Sequence, residues 1–222
     1  MIYLNSQDIS QTRLEDFNQC YIIDDLFSVK ILSEIEEALM NSHWSPCNIA
    51  HRHGYPDGVF QNGRERLMGT VYYHQDLNKV RQNKFLMNGN RWGQIDKMME
   101  VNAFILSTMS TLFDRKTLLK DLVANLQFHG MDGCFHTDGP STQHVVIWMI
   151  GSKADGDFIM KENEEHISYK NGRIISFPAP WEHRGSQPSV PHQPRFTVKT
   201  VIEYIHPEGL HSQTKDDKLL RQ

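Results

Sequence analysis

The stretch Cys134-Phe135-His136-Thr137-Asp138-Gly139-Pro140, followed after four residues by Val145-Val146-Ile147-Trp148-Met149-Ile150, decides how this chain is read. Side chains alternate along an extended strand, so His136 and Asp138 face the same way. An imidazole nitrogen and a carboxylate oxygen can then reach one metal ion. If a second histidine arrives from elsewhere, two histidines and one carboxylate occupy one face of an octahedron. That donor set suits Fe(II) and leaves the opposite face open. The apolar run from Val145 to Ile150 fits a strand buried on both faces.

Working outward, the apolar segment Leu122–Phe128 precedes the pair. Downstream, Arg173-Ile174-Ile175-Ser176-Phe177-Pro178 reads as a second buried strand and leads into Trp181-Glu182-His183-Arg184-Gly185. His183 lies 47 residues after His136 (183 − 136), far enough for a barrel strand to return beside the first pair. Arg195 follows twelve residues later and opens Arg195-Phe196-Thr197-Val198-Lys199-Thr200-Val201-Ile202. Arg195 and Thr197 share one strand face, and Phe196, Val198 and Ile202 share the other. A guanidinium with a hydroxyl two residues on makes a carboxylate clamp of two parallel N–H···O bonds and one O–H···O. Lys199 shares the Arg195 face and is the alternative cation.

His-x-Asp by itself is weak: with twelve histidines, roughly 0.8 occurrences are expected by chance. The chain holds a second pair, His74-Gln75-Asp76. It lacks the downstream pattern, because no Arg or Lys lies 10–12 residues after His129. His74 and Asp76 therefore read as surface or loop residues. His51 and His53 form a further alternate pair, but no carboxylate-histidine partner stands near them.

The remaining chain reads as support. Residues 1–20 look like a polar lead-in. Tyr21-Ile22-Ile23 is a short strand ending at Asp24-Asp25. Ser28 caps an amphipathic helix through about Met40, with Ile31, Leu32, Ile35, Ala38 and Leu39 at helical spacing. Residues 41–69 read as a long irregular loop, a candidate lid. Thr70–Tyr73 is a strand. Ile95, Met98, Met99, Ile105, Met109, Leu112 and Phe113 mark a helix over about 94–113, and Leu118–Leu122 looks like another helical turn. From residue 123 the pattern changes to short strands near 123–129, 144–150, 157–160, 166–169, 173–177 and 195–205, punctuated by glycines. The tail after Ile205 is polar.

At 222 residues, 39% apolar and 23% charged, the chain has the composition of one cored globular domain. A net charge of −4 without a basic stripe argues against nucleic acid. No signal-peptide pattern and no membrane-length apolar run is visible. Three widely spaced cysteines make no disulfide framework, so a cytoplasmic home is expected.

In these residues the chain resembles the Fe(II)- and 2-oxoglutarate-dependent oxygenases, in particular the prolyl-4-hydroxylase-like branch. The resemblance rests on His136-x-Asp138, His183, Arg195-x-Thr197 and Gly172–Pro178, and covers about residues 120–205. Tyr21–Phe27 before a helix is similar to the opening of that branch. It implies a mainly β fold with flanking α: a double-stranded β-helix (jelly-roll, cupin-like) with helices packed on one sheet. It implies a single domain over 1–222, with helical support at about 20–120, the core at about 120–205 and a tail at 206–222. By the same resemblance His136, Asp138 and His183 bind Fe(II), and Arg195, assisted by Thr197, holds the far carboxylate of 2-oxoglutarate. O2 is the oxidant, and a C–H bond of a protein side chain or small molecule is hydroxylated with release of succinate and CO2. Two departures stand out. Gln127 occupies the position where the branch often has a 2-oxoglutarate-binding tyrosine, and its amide can still bond a carboxylate. The spacing from His183 to Arg195 is twelve rather than about ten, across a loop stiffened by proline: five of the nine prolines lie in 178–194.

Two other readings compete. A cupin-like metal-binding protein without 2-oxoglutarate turnover has no use for the Arg195-x-Thr197 clamp. An oxygenase kept only as an interaction module has no need of all three metal ligands.

Overall fold

The computed structural model describes residues 1–9, 11–46, 67–75, 92–162 and 164–205. Eleven strands and two helices are described. They are β1 (Ile2–Asn5), β2 (Tyr21–Asp24), α1 (Val29–Met40), β3 (Ser45–Pro46), β4 (Met68–His74) and α2 (Trp92–Phe113), then β5 (Lys116–Gln127), β6 (Gln143–Ile150), β7 (Asp157–Met160), β8 (Glu165–Ser168), β9 (Ile174–Pro178), β10 (His183–Gly185) and β11 (Arg195–Ile205). One sheet has eight strands in the order β1-β2-β9-β6-β11-β5-β4-β3, and the other has three in the order β10-β7-β8. The larger sheet is mixed, because β1 runs parallel to β2 while its other pairs are antiparallel.

β6 explains the architecture. Its alternation divides a wholly apolar run between two cores. Val146, Trp148 and Ile150 join the core formed with Leu32, Ile35 and Leu39 of α1 and Met98, Ile105 and Met109 of α2. Val145, Ile147 and Met149 join Phe158, Met160 and Ile167 of the small sheet and Ile175 and Phe177 of β9. The helices thus cover one face of the large sheet and the small sheet covers the other. β11 obeys the same alternation. Phe196, Val198 and Ile202 lie in the helix-side core, which turns Arg195, Thr197 and Lys199 into the space between the sheets. Trp148 is fully buried at this junction, and truncation to alanine there would cost about 3–5 kcal/mol.

The local signals correspond to specific contacts. The Ser28 hydroxyl accepts from the Ile31 amide at 3.3 Å and caps α1. Three expectations are corrected. Residues 2–5 are not loose lead-in but an edge strand paired with Tyr21–Asp24. Leu118–Leu122 is strand, not helix. β5 starts at Lys116 and pairs with β11 from Arg195↔Gln127 to Ile205↔Lys116, and this long ladder overrides the local leucine spacing, with a bulge at Val201/Ile202 blurring the alternation. The stretch 41–69 is not loop throughout, since Ser45 and Pro46 pair with Gly69 and Met68. The lid expectation for that segment, with His51 and His53, and the tail after Ile205 fall outside the described residues.

Candidate metal and dicarboxylate site

The pair His136 and Asp138 lies on an extended segment that runs antiparallel to β10. Backbone bonds link Gly133 N to Gly185 O at 3.1 Å, His136 N to His183 O at 3.1 Å and His183 N to His136 O at 3.0 Å. This pairing brings the distal histidine to the first pair. The three side chains are close enough for one donor atom from each to lie within 4.8 Å of the others. The second His-x-Asp motif goes elsewhere: His74 sits on β4 against Asp121 at 3.2 Å, and Asp76 falls outside the described residues.

Each imidazole is held by its backbone. Nδ1 of His136 lies 2.9 Å from the Cys134 carbonyl, and Nδ1 of His183 lies 2.9 Å from the Trp181 carbonyl. A carbonyl only accepts, so both rings carry a proton on Nδ1, and a neutral ring then presents its lone pair at Nε2. Those lone pairs point at Asp138: Nε2 of His183 is 3.2 Å from Oδ2, and Nε2 of His136 is 3.8 Å from Oδ1. Oδ2 is buried and has no hydrogen-bond partner among the described residues. Lone pairs facing one another in a buried place repel unless a cation lies between them. The donor set therefore fits a divalent metal, and two histidines with one carboxylate fit Fe(II).

Phe158 stacks on the His183 ring at 5.2 Å and Phe177 meets it edge-on at 4.7 Å. These rings lock the imidazole and dry its surroundings. Burial, with His183 beside it, pulls the His136 pKa down to about 3, so it is a neutral donor above that pH. Burial pushes the Asp138 carboxyl up, but the Lys199 ammonium overcomes it and holds Asp138 well below the usual carboxylate range.

The same cavity is lined by His136, Asp138, His183, Arg195, Thr197 and Gln127. Arg195 is fully buried and faces Gln127 across the β11–β5 ladder. Its guanidinium donates to the backbone carbonyls of Ser186 and, at 3.4 Å, of Asp157, while Nε has no partner among the described residues. No carboxylate among the described residues forms an ion pair with it. Its charged group lies 5.0 Å from the Tyr169 ring centroid. Burial pulls its pKa down from the usual value, yet a guanidinium stays charged. A buried cation without an anion is costly, and a ligand carboxylate would relieve that cost.

Two glycines make room for it. A Cβ on Gly156, whose φ is +90°, would stand 2.9 Å from Nη1 of Arg195, and one on Gly185 would stand 2.9 Å from Nη2. The long loop before Arg195 is tied down. Ser189 bonds Asp155 through its amide at 2.8 Å and through its hydroxyl. Gln187 receives the Gly130 amide at 2.9 Å, and His129 Nδ1 donates to the Pro188 carbonyl at 3.0 Å. The two extra residues are absorbed there, and Arg195 still reaches the cavity. Gln127 lines it too, with one amide hydrogen committed to the Met131 carbonyl at 3.1 Å.

Sequence reasoning missed the contact between Lys199 and Asp138, although period-two alternation from Arg195 through Thr197 contained the signal. It also missed the aromatic pair on His183 and the glycine cradle, which only strand pairing assembles.

A β fold with helices on one face and a histidine–aspartate–histidine cluster between its sheets is the class these observations define. No family model matches the sequence, and no curated protein sequence matches it either. Solved structures do match. An oxidoreductase of the 2OG-Fe(II) oxygenase family from Burkholderia pseudomallei superposes with a TM-score of 0.60 at 11% identity, over 83% of this chain and 85% of that one. A Trichoplax adhaerens prolyl hydroxylase, in complex with a hypoxia inducible factor oxygen degradation domain peptide fragment, gives 0.56 at 11% identity over 85% and 84%. The non-heme alpha ketoglutarate dependent epimerase SnoN from nogalamycin biosynthesis gives 0.52 at 10% over 84% and 78%. The chain thus shares the fold of 2-oxoglutarate–Fe(II) oxygenases, prolyl hydroxylases among them.

Proposed function

We propose that the protein is an Fe(II)- and 2-oxoglutarate-dependent dioxygenase forming one domain on a double-stranded β-helix. The strand orders β5-β11-β6-β9 and β10-β7-β8, with the His136 segment bridged to β10, support that reading of the fold. The observation that carries the function is the meeting of two groups in one cavity. One is a set of metal donors with their lone pairs turned together, and the other is a buried Arg195 that forms no ion pair with a carboxylate among the described residues.

In this reading His136, Asp138 and His183 hold Fe(II). Arg195 and Thr197 hold the distal carboxylate of 2-oxoglutarate, with Gln127 beside them. Iron, when bound, supplies the activation of O2 that couples 2-oxoglutarate decarboxylation to oxidation of a C–H bond, with succinate and CO2 as products. The chain's own residues orient the cosubstrate, keep the His136 imidazole neutral and exclude water through Phe158 and Phe177. The acceptor is a protein side chain of prolyl type or a small molecule. The peptide-bound prolyl hydroxylase of the same fold supports the first. A cupin-like protein without 2-oxoglutarate turnover would bury Arg195 for no return.

The test is anaerobic addition of Fe(II) and 2-oxoglutarate to the purified protein. A visible absorption band should appear only with both present and be lost in His136→Ala. Tight metal binding with no band on adding 2-oxoglutarate would defeat the proposal.

A further inference from the structure

Lys199 stands outside the metal donors and outside the Arg195 clamp, yet it reaches the centre of the site. On β11 it lies opposite Val123 of β5 and Ile147 of β6, on the face that carries Arg195 and Thr197. Its Nζ donates to Oδ1 of Asp138 at 2.5 Å. The two side chains are 12% and 2% exposed, so water screens this pair far less than a surface ion pair.

The two oxygens of Asp138 are therefore used differently. Oδ1 is occupied by the ammonium. Oδ2, without a hydrogen-bond partner among the described residues, is the oxygen turned toward the His183 lone pair. A carboxylate can ligate a cation through one oxygen or both. Bidentate ligation would use a position that cosubstrate or oxygen needs. An ammonium on Oδ1 blocks it. The same ammonium is a fixed positive charge beside the metal position. It opposes a divalent cation and favours a dianionic cosubstrate.

We propose that Lys199 is a positioning residue for the metal centre. It presents Asp138 to the metal through Oδ2 alone, and its charge lowers metal affinity while raising affinity for 2-oxoglutarate. This inference rests on the oxygenase reading given above. Freeing one carboxylate rotor is a smaller effect than removing a buried unit charge beside a dication. The charge effect therefore sets the direction when Lys199 is neutralised.

The experiment uses the full chain, with Mn(II) as metal probe and 2-oxoglutarate as cosubstrate. Free Mn(II) is followed by electron paramagnetic resonance, and 2-oxoglutarate binding to the Mn(II)-loaded protein by calorimetry. Lys199→Met should bind Mn(II) about threefold or more tighter than wild type and 2-oxoglutarate about tenfold or more weaker. Lys199→Arg should restore both to near wild type. Cooperative melting of the metal-free variants checks the fold, and Lys199→Gln replaces the methionine variant if that does not melt cooperatively. A merely structural lysine would weaken both ligands together, and that result, or no change in either, overturns the proposal. The two readings fail differently. Wild type that binds no Mn(II) in a His136-dependent way defeats the oxygenase reading and this one with it. Wild type that binds both ligands, with Lys199→Met unchanged, defeats only the role of Lys199.

Discussion

Gly185 and Arg195 approach so closely that a Cβ on the glycine would stand 2.9 Å from Nη2 of the arginine, and 3.2 Å from Oε1 of Gln127. The crowded atom is the end of a long side chain, which can move. Gly185→Ala should therefore fold, with a stability change of about 1 kcal/mol or less. The displaced guanidinium should weaken 2-oxoglutarate binding roughly tenfold. A 2-oxoglutarate titration beside a melting curve checks this. Unchanged cosubstrate affinity would show that the guanidinium does not hold the dicarboxylate.

Arg195→Met removes the cation while filling much of its volume. Two charge-assisted hydrogen bonds are at stake, so 2-oxoglutarate affinity should fall about a hundredfold or more. Metal affinity should stay within about threefold, because Arg195 touches none of the three donors. Separate titrations of metal and cosubstrate read the two effects. Equal losses in both would count against the clamp.

Asp138→Ala should cost more than the metal. It strands the Lys199 ammonium, now held at 2.5 Å by that carboxylate. Breaking a buried pair by removing one partner costs about 3–5 kcal/mol. Urea unfolding of the metal-free protein should show a loss of that order, and adding Lys199→Met should recover most of it. A double variant no more stable than Asp138→Ala would mean that Lys199 reaches water once unpaired.

A pH effect follows from His144 on β6, buried edge-on to Phe17, Phe113 and Tyr204. Nδ1 has no hydrogen-bond partner among the described residues. Burial pulls its pKa from 6.5 to about 4, against a backbone hydrogen bond with Phe17. The folded value lies below the unfolded one, so folding favours the neutral ring. The resulting stability is fully present above about pH 6.5 and is lost as pH falls toward about 4, a change of ~3 kcal/mol. His136, pulled to about 3, adds to the same acid limb. Unfolding midpoints measured between pH 7 and pH 4 should show a shallower slope for His144→Phe than for wild type. Identical slopes would remove His144 from the account.

The sequence by itself determined the local facts. Ser28 was legible as a cap because capping depends on neighbours in the chain, and its hydroxyl does meet the Ile31 amide. The run from Val145 to Ile150 was legible as doubly buried because alternation leaves no polar face. His136, Asp138, His183, Arg195 and Thr197 were legible as one set by type, order and spacing, and all of them line one cavity. Tertiary structure decided whatever depends on register. Leu118–Leu122 became strand because the β11 ladder lies beside it. Ile2–Asn5 became strand because β2 offers it an edge. Phe158 on His183, Gly156 and Gly185 around Arg195, and Lys199 on Asp138 are contacts between residues 10 to 61 positions apart. Their chemistry is visible in the chain. Their meeting is not, because strand pairing and sheet packing, rather than spacing along the backbone, set which side chains share a cavity.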